Sequence, residues 1–167
     1  MPELYPFQRE GVKFLLDHTH ALLADEMGLG KTVQTLVALR ELGARRVLVV
    51  CPTMVKSVWV REAQLWYPEV VTVEFPSRGG KPRREVVWLR LDPRDGGASR
   101  EGPANIGVIG YEALLRDGAE ALDYPWDVIV LDEAHRTKNR KSKTFKLLRQ
   151  LRRRTARLYE LTGNPIW

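Results

Sequence analysis

Two short stretches of this chain carry residues suited to chemistry, a glycine-flanked Lys31-Thr32 and the paired acids Asp132-Glu133. In Ala21 to Thr35, ALLADEMGLGKTVQT, the apolar run Ala21 to Ala24 reads as a buried strand that breaks into a turn bearing Gly28 and Gly30. From Lys31 the spacing turns helical, with Val33, Leu36, Val37, Leu39 and Leu42 on one side. Strand, glycine loop, Lys-Thr and helix together make a cradle for phosphate. The glycines let backbone N–H groups turn inward, and the helix N-terminus adds partial positive charge. Lys31 is placed for the terminal phosphates of a nucleotide, and the Thr32 hydroxyl for Mg²⁺. The general pattern has glycine five positions before Gly30, where this chain has Asp25. A bare Gly-Lys-Thr also fits a glycine turn followed by an ordinary helix, so the rest of the chain must decide.

The acids decide much of it. Asp127 to Leu131, DVIVL, is a strongly apolar strand that delivers Asp132-Glu133-Ala134-His135 at its carboxyl end. Ligands of open α/β sheets bind at that end. Asp132 suits Mg²⁺, directly or through water, completing the clamp that Thr32 begins. Glu133 suits an attacking water, which it would orient or deprotonate. Taken singly, an Asp-Glu pair after a strand is a loop cap or a solvated turn. Downstream of a Lys-Thr loop, that reading loses. Gln8 is a further candidate, because its amide both donates and accepts, as an adenine edge requires. The plainer reading is a surface glutamine on an amphipathic helix.

The elements that must position these residues alternate between strand and helix. Leu4 to Leu16 reads as a helix beginning near Pro6, with Phe7, Val12, Phe14, Leu15 and Leu16 apolar. Arg46 to Cys51, RVLVVC, is a continuous apolar run, the mark of a strand buried on both faces of a parallel sheet. Pro52-Thr53 stops it, Thr53 is able to cap the next helix, and the backbone there is suited to meet a nucleic-acid backbone. Met54 to Tyr67 carries Val55, Val58, Trp59, Ala63 and Trp66 inward, as core. Val70 to Phe75 is a strand, and 76–104 is expected as a loop-rich insertion in which Glu85 to Leu91 reads equally as helix or strand. Ile106 to Ile109 resumes the sheet, and a short helix follows through Arg116. Lys141 to Arg154 is a basic helix with Phe145, Leu147, Leu148 and Leu151 for the core, and Arg157 to Leu161 is a last strand before Thr162-Gly163-Asn164-Pro165. The alternation predicts an α/β fold, a doubly wound and mainly parallel sheet with helices on both faces.

Composition narrows the function classes. The chain has 167 residues, enough for one domain with a real core, and 44% are hydrophobic. No apolar run approaches the ~18 residues of a membrane span, so no membrane partner is expected. The start, MPELYPFQRE, lacks a basic-then-apolar signal, so export is not expected either. Cys51 is the lone cysteine, which excludes an intrachain disulfide and a cysteine-cluster metal site. The net charge of +6 is concentrated: Arg136 to Arg157 holds eleven Lys or Arg and no Asp or Glu. Such a tract is either a phosphate-contacting surface or a solvated helix face.

Together DEMGLGKT, VCPTMVKSVW, VIGYE, DEAH and LTGNPI, opening with YPFQREGVKFL, resemble the Swi/Snf-type branch of superfamily-two helicases. These are DEAH-box ATPases stimulated by double-stranded DNA. The resemblance runs from Leu4 to Ile166, in the order and spacing of the family's first RecA-like lobe, and Asp25 is what this branch shows. It implies ATP and Mg²⁺ as cofactors. Gln8 would recognise adenine, and the loop of Asp25, Met27, Gly28, Leu29, Gly30, Lys31 and Thr32 would bind the phosphates, with Thr32 and Asp132 at the metal. Glu133 would activate water, and His135, Thr162 and Gly163 would link the nucleotide to the DNA-facing surface. Pro52, Thr53, Arg136, Lys138 and Asn139 would meet the duplex, largely without reading sequence, since nothing resembles a base-reading helix.

Asn164 stands where the family has threonine, and keeps hydrogen-bonding capacity. The family's second lobe, with its arginine fingers, is not in this chain, and a finger is worth about 10³ to 10⁵ in rate in related phosphoryl transfers. The lobe alone is therefore expected to turn over slowly. The resemblance places the protein in the cytoplasm at the nucleoid in a prokaryote or phage, and in the nucleus in a eukaryote. The rivals are an RNA or single-strand helicase lobe of the same superfamily, and a catalytically idle nucleic-acid-binding lobe.

Overall fold

The computed structural model describes residues 3–66, 70–73, 86–91, 105–115, 122, 125–137 and 139–163. Helix α1, Pro6–Asp17, leads into strand β1, His20–Leu23; α2, Lys31–Glu41, leads into β2, Arg46–Cys51. A 3₁₀ turn at Thr53–Val55 opens α3, Lys56–Trp66, and β3, Val70–Val73, and β4, Val86–Leu91, follow. After β5, Asn105–Gly110, residues 111–115 are helical and are labelled α4. The chain then runs through β6, Val128–Asp132, a 3₁₀ turn at Ala134–Thr137, α5, Lys143–Arg152, and β7, Arg157–Leu161.

The seven strands lie in one sheet, in the order β1-β7-β6-β2-β5-β4-β3. The five from β1 to β5 in that order are parallel, and β4 and β3 extend the β5 edge antiparallel. The apolar runs read as doubly buried strands behave so. Val47, Val49 and Cys51 enter one core with Val128 and Val130, whereas Leu48 and Val50 enter a second with Ile129 and Leu131. The first core is covered by α1, α2 and α3 and the second by α4 and α5, which makes the sheet doubly wound.

Register is what builds a site. Leu23 pairs with Leu161 and Leu161 with Asp132, so three adjacent parallel strands end side by side. At about 4.8 Å per strand, the loops leaving β1 and β6 begin about 10 Å apart, with the loop after β7 between them.

Some local expectations shift. Phe7 and Phe14 are 42% and 39% exposed, and the buried residues of α1 are Gln8, Val12 and Leu15. On α2, Val33, Val37 and Leu42 only flank the core, while polar Gln34 and Thr35 are fully enclosed. Thr53 does not cap α3: the 3₁₀ turn begins after Pro52 without a side-chain cap, and the Thr53 hydroxyl is used elsewhere. The basic helix is shorter than expected because Ser142 caps it, accepting from the Phe145 N–H at 3.1 Å. Glu85 to Leu91 resolves as a strand at Val86–Leu91 because β5 offers an open edge to pair with. Apart from that strand, the expected insertion at 76–104 lies outside the described residues.

Candidate functional site

The loop after β1 is closed on itself. Gly28 and Gly30 have φ of 85° and 74°, left-handed conformations that glycine adopts without a Cβ penalty. At Gly30 a Cβ would also lie 2.5 Å from the Gln8 amide nitrogen. The Lys31 Nζ reaches back across the loop and donates to the carbonyls of Asp25, at 2.8 Å, and Glu26, at 2.9 Å. A phosphate that takes this lysine has to replace both carbonyls. Thr32 follows in the first turn of α2, half-buried.

Two glutamines converge on the loop from different helices. The Gln8 amide donates to the Leu29 carbonyl at 3.3 Å, while its oxygen accepts from the Tyr5 N–H at 3.1 Å in a capping box. Gln8 is 8% exposed, so it is no surface glutamine. Gln34, which sequence reading passed over, donates to the same Leu29 carbonyl and to Asp25 Oδ2, both at 3.1 Å. Asp25 thereby has a local reason to stand where the general loop has glycine: it accepts from α2. The Gln34 Oε1 has no hydrogen-bond partner and faces Gly11, where a Cβ would lie 1.7 Å from it. Only glycine lets α1 come this close. Gln34 was not legible in the sequence, where the apolar spacing of Val33, Leu36, Val37, Leu39 and Leu42 leaves it as an ordinary polar residue of the helix.

At the other side of the rim Asp132 is enclosed. Its Oδ2 accepts from the Trp59 indole N–H at 2.8 Å, its Oδ1 from the Glu133 N–H at 2.9 Å, and its backbone carbonyl from the Tyr111 hydroxyl at 2.8 Å. Burial pushes the Asp132 carboxyl above its ordinary value; the Trp59 bond opposes this, the Glu133 charge adds to it, and the Glu133 N–H and the Lys31 charge oppose it. Glu133 has a φ of 53°, left-handed for a residue with a side chain, a strain of order 1 kcal/mol or more.

The Glu133 carboxylate lies 3.2 Å from His135 Nδ1, which also lies 3.4 Å from the Thr162 hydroxyl. A carboxylate at that distance assigns the proton to Nδ1, so this N–H is shared between the two oxygens. Thr162 is buried, and its N–H donates to the Leu23 carbonyl at 3.1 Å. At Gly163 a Cβ would lie 2.5 Å from Met27 Cγ and 3.6 Å from Lys31 Nζ, so a side chain there would press on the loop after β1. The acids, His135, the loop after β7 and Lys31 thus form one contiguous group.

The donors at hand suit Mg²⁺. Among the described residues no group of three or more His, Cys, Asp or Glu converges on a point. Mg²⁺ does not ask for such a cage, since it typically takes one or two carboxylates with phosphates and water. Asp132 keeps two lone-pair positions beyond those used by Trp59 and Glu133, and Thr32 adds a hydroxyl oxygen.

The residues expected at DNA are placed unevenly. Pro52 is half-buried and Thr53 exposed at the same rim, where the Thr53 hydroxyl donates to Glu112 at 3.3 Å. Arg136 lies in the 3₁₀ turn after Glu133, Asn139 is exposed and accepts from the Lys141 N–H, and Lys138 and Asn164 lie outside the described residues. Among the described residues the basic tract does not form one surface. Helix α5 runs back from the rim, so Arg149 to Arg154 sit toward the opposite end, and Arg157 donates to the carbonyls of Leu16 and His18.

Comparison with known proteins adds to this geometry. Residues 7–167 match the model of the SNF2-related domain. The chain is 35% identical to a chromodomain-helicase-DNA-binding protein 3 homolog of Caenorhabditis elegans, covering 98% of this chain and 10% of that protein. It is 33% identical to the ISWI chromatin-remodeling complex ATPase ISW1 of Saccharomyces cerevisiae, covering 98% and 14%. Among solved structures it resembles a Sulfolobus solfataricus SWI2/SNF2 ATPase core in complex with dsDNA, with a TM-score of 0.74 and 27% identity over 98% of this chain and 32% of that one. The chain therefore spans only a small part of its relatives' length. With the motifs, the doubly wound sheet and the family match in agreement, the chain belongs to the SNF2-related domain family.

Proposed function

We propose that this chain is the ATP-binding half of an ATP-dependent translocase on double-stranded DNA, in which hydrolysis drives movement along the duplex. The observation that carries the reading is the shared rim: β1, β7 and β6 end in register, so the Lys31 loop, Thr162-Gly163 and Asp132-Glu133 leave the sheet together. Lys31 and the loop amides would hold the β and γ phosphates, Gln8 the adenine, and Thr32 with Asp132 would hold Mg²⁺. Bound there, Mg²⁺ supplies charge stabilisation for the transferring phosphoryl group. Glu133 would orient the attacking water and take its proton, with His135 fixing the carboxylate from 3.2 Å.

Pro52, Thr53, Arg136, Lys138 and Asn139 would meet DNA phosphates, which gives sequence-independent, salt-sensitive binding. A second RecA-like lobe would close on the nucleotide and supply the arginine finger, and in a eukaryote the protein would work in the nucleus. The relatives' names, an ATPase of a chromatin-remodeling complex among them, fit this reading.

The test is ATP hydrolysis by the full-length protein with duplex DNA, single-stranded DNA or RNA. Duplex DNA should stimulate most, and Lys31→Ala should abolish the stimulated rate. Stimulation by RNA alone, or ATP-dependent function that survives Lys31→Ala, would refute the proposal.

A further inference from the structure

Two side chains hold Asp132 from opposite faces of the sheet. The Trp59 indole comes from α3 and bonds the carboxylate at 2.8 Å; the Tyr111 hydroxyl comes from α4 and bonds the backbone carbonyl at 2.8 Å. Trp59 is fully enclosed and Tyr111 is 5% exposed, so neither donor has water to turn to if the bond opens. A purely space-filling role asks only for the ring, not for a donor aimed at Asp132.

Both residues are also one step from the Pro52–Thr53 loop. Thr53 opens the 3₁₀ turn that continues directly into α3 and Trp59. Its hydroxyl bonds Glu112, the neighbour of Tyr111, and Gly110 leaves the room, since a Cβ there would lie 2.6 Å from the Thr53 oxygen. A movement of this loop therefore has two routes to Asp132, one through α3 to the side chain and one through the Thr53–Glu112 hydrogen bond and α4 to the backbone.

Resting on the function proposed above, we propose that Trp59 and Tyr111 are positioning residues that clamp the metal-binding carboxylate and transmit to it the placement of the Pro52–Thr53 loop. DNA held at that loop would set the geometry at the metal, which gives duplex stimulation a structural route within this lobe.

The test uses the full-length protein with Tyr111→Phe, which removes one hydroxyl, and with Trp59 replaced by benzothienylalanine, which keeps the ring shape and removes the N–H. The readout is equilibrium binding of a fluorescent ATP analogue as Mg²⁺ is titrated, with and without duplex DNA. Each variant should fold, shown by an unaltered circular dichroism spectrum, and should need about 10-fold more Mg²⁺ for half-saturation, the usual effect of losing a group that orients a metal ligand. Duplex DNA should lower the Mg²⁺ requirement of the wild type and not that of the double variant. A 5-fluorotryptophan at position 59, which keeps the N–H, should restore the wild-type curve. Wild-type Mg²⁺ curves in both variants would overturn the clamp. If duplex DNA fails to stimulate hydrolysis by the wild type, the proposed function falls instead, while the Mg²⁺ curves without DNA still decide the clamp.

Discussion

The brace formed by Gln34 gives the sharpest quantitative expectation. Replacing Gln34 with Met keeps the shape and removes both donors from the loop after β1. The bond to the Asp25 carboxylate is charge-assisted, worth roughly 1.5–3 kcal/mol, and the bond to the Leu29 carbonyl about 1 kcal/mol, although Gln8 still satisfies that carbonyl. Against this, the change also removes an enclosed oxygen that has no partner, which returns roughly 1–2 kcal/mol. Global stability should therefore fall by only about 1–2 kcal/mol, whereas the loop loses its tie to α2. Nucleotide affinity should drop by about tenfold, the equivalent of ~1.4 kcal/mol.

Gly11 supplies the control. Gly11→Ala alone should mimic the loss, because the new Cβ would meet the Gln34 oxygen at 1.7 Å and drive the amide away. In a Gln34→Ala background the same change should cost nothing and even stabilise, by up to the ~1 kcal/mol that Ala gains over Gly inside a helix. Urea denaturation and titration with a fluorescent ATP analogue measure the two quantities. Additive effects of Gly11→Ala and Gln34→Ala, or wild-type nucleotide affinity in Gln34→Met, would show that the close approach of α1 and α2 has nothing to do with the loop.

Two further expectations follow from groups away from the loop after β1. Burial alone would raise the Asp127 carboxyl, but the Arg46 side chain, the backbone N–H groups of Arg45 and Arg46 and the Arg46 charge together hold it below its ordinary 3.8. A depressed carboxyl contributes stability that is complete above pH 3.8 and lost as pH falls through its lower folded value. Asp127→Ala should therefore cost about 2 kcal/mol near neutrality, less than a fully buried pair because Arg46 is 42% exposed, and the difference from wild type in urea midpoints should vanish in strong acid. Cys51 makes the other case: burial, with the Asp132 charge adding to it, pushes its thiol up to about 12. Thiol-reactive probes at pH 8 should modify it only at the rate of unfolding, and fast labelling of the folded protein would contradict its enclosure.

The amino-acid sequence by itself determined what depends on neighbours in the chain. Glycines, lysine and threonine at fixed offsets after an apolar run make a strand, a tight turn and a helix wherever that run lies, and an apolar strand ending in Asp132-Glu133 presents its acids at a carboxyl end in any parallel sheet. The doubly wound class followed from alternating periods, for the same local reason. Periodicity groups Phe7 and Phe14 with the apolar residues of α1, yet both are exposed, because it reports which side of a helix is apolar and not whether a partner covers it. The tertiary structure alone decided which residues stand around the site. Trp59 and Asp132 are 73 positions apart and Thr53 and Glu112 are 59 apart, and these meetings depend on strand order and register, which no local pattern encodes. Gln34 shows the difference most plainly: as one letter it is a polar residue in a helix, and only the packing of α1 on α2 turns it into the tie between Asp25 and Leu29.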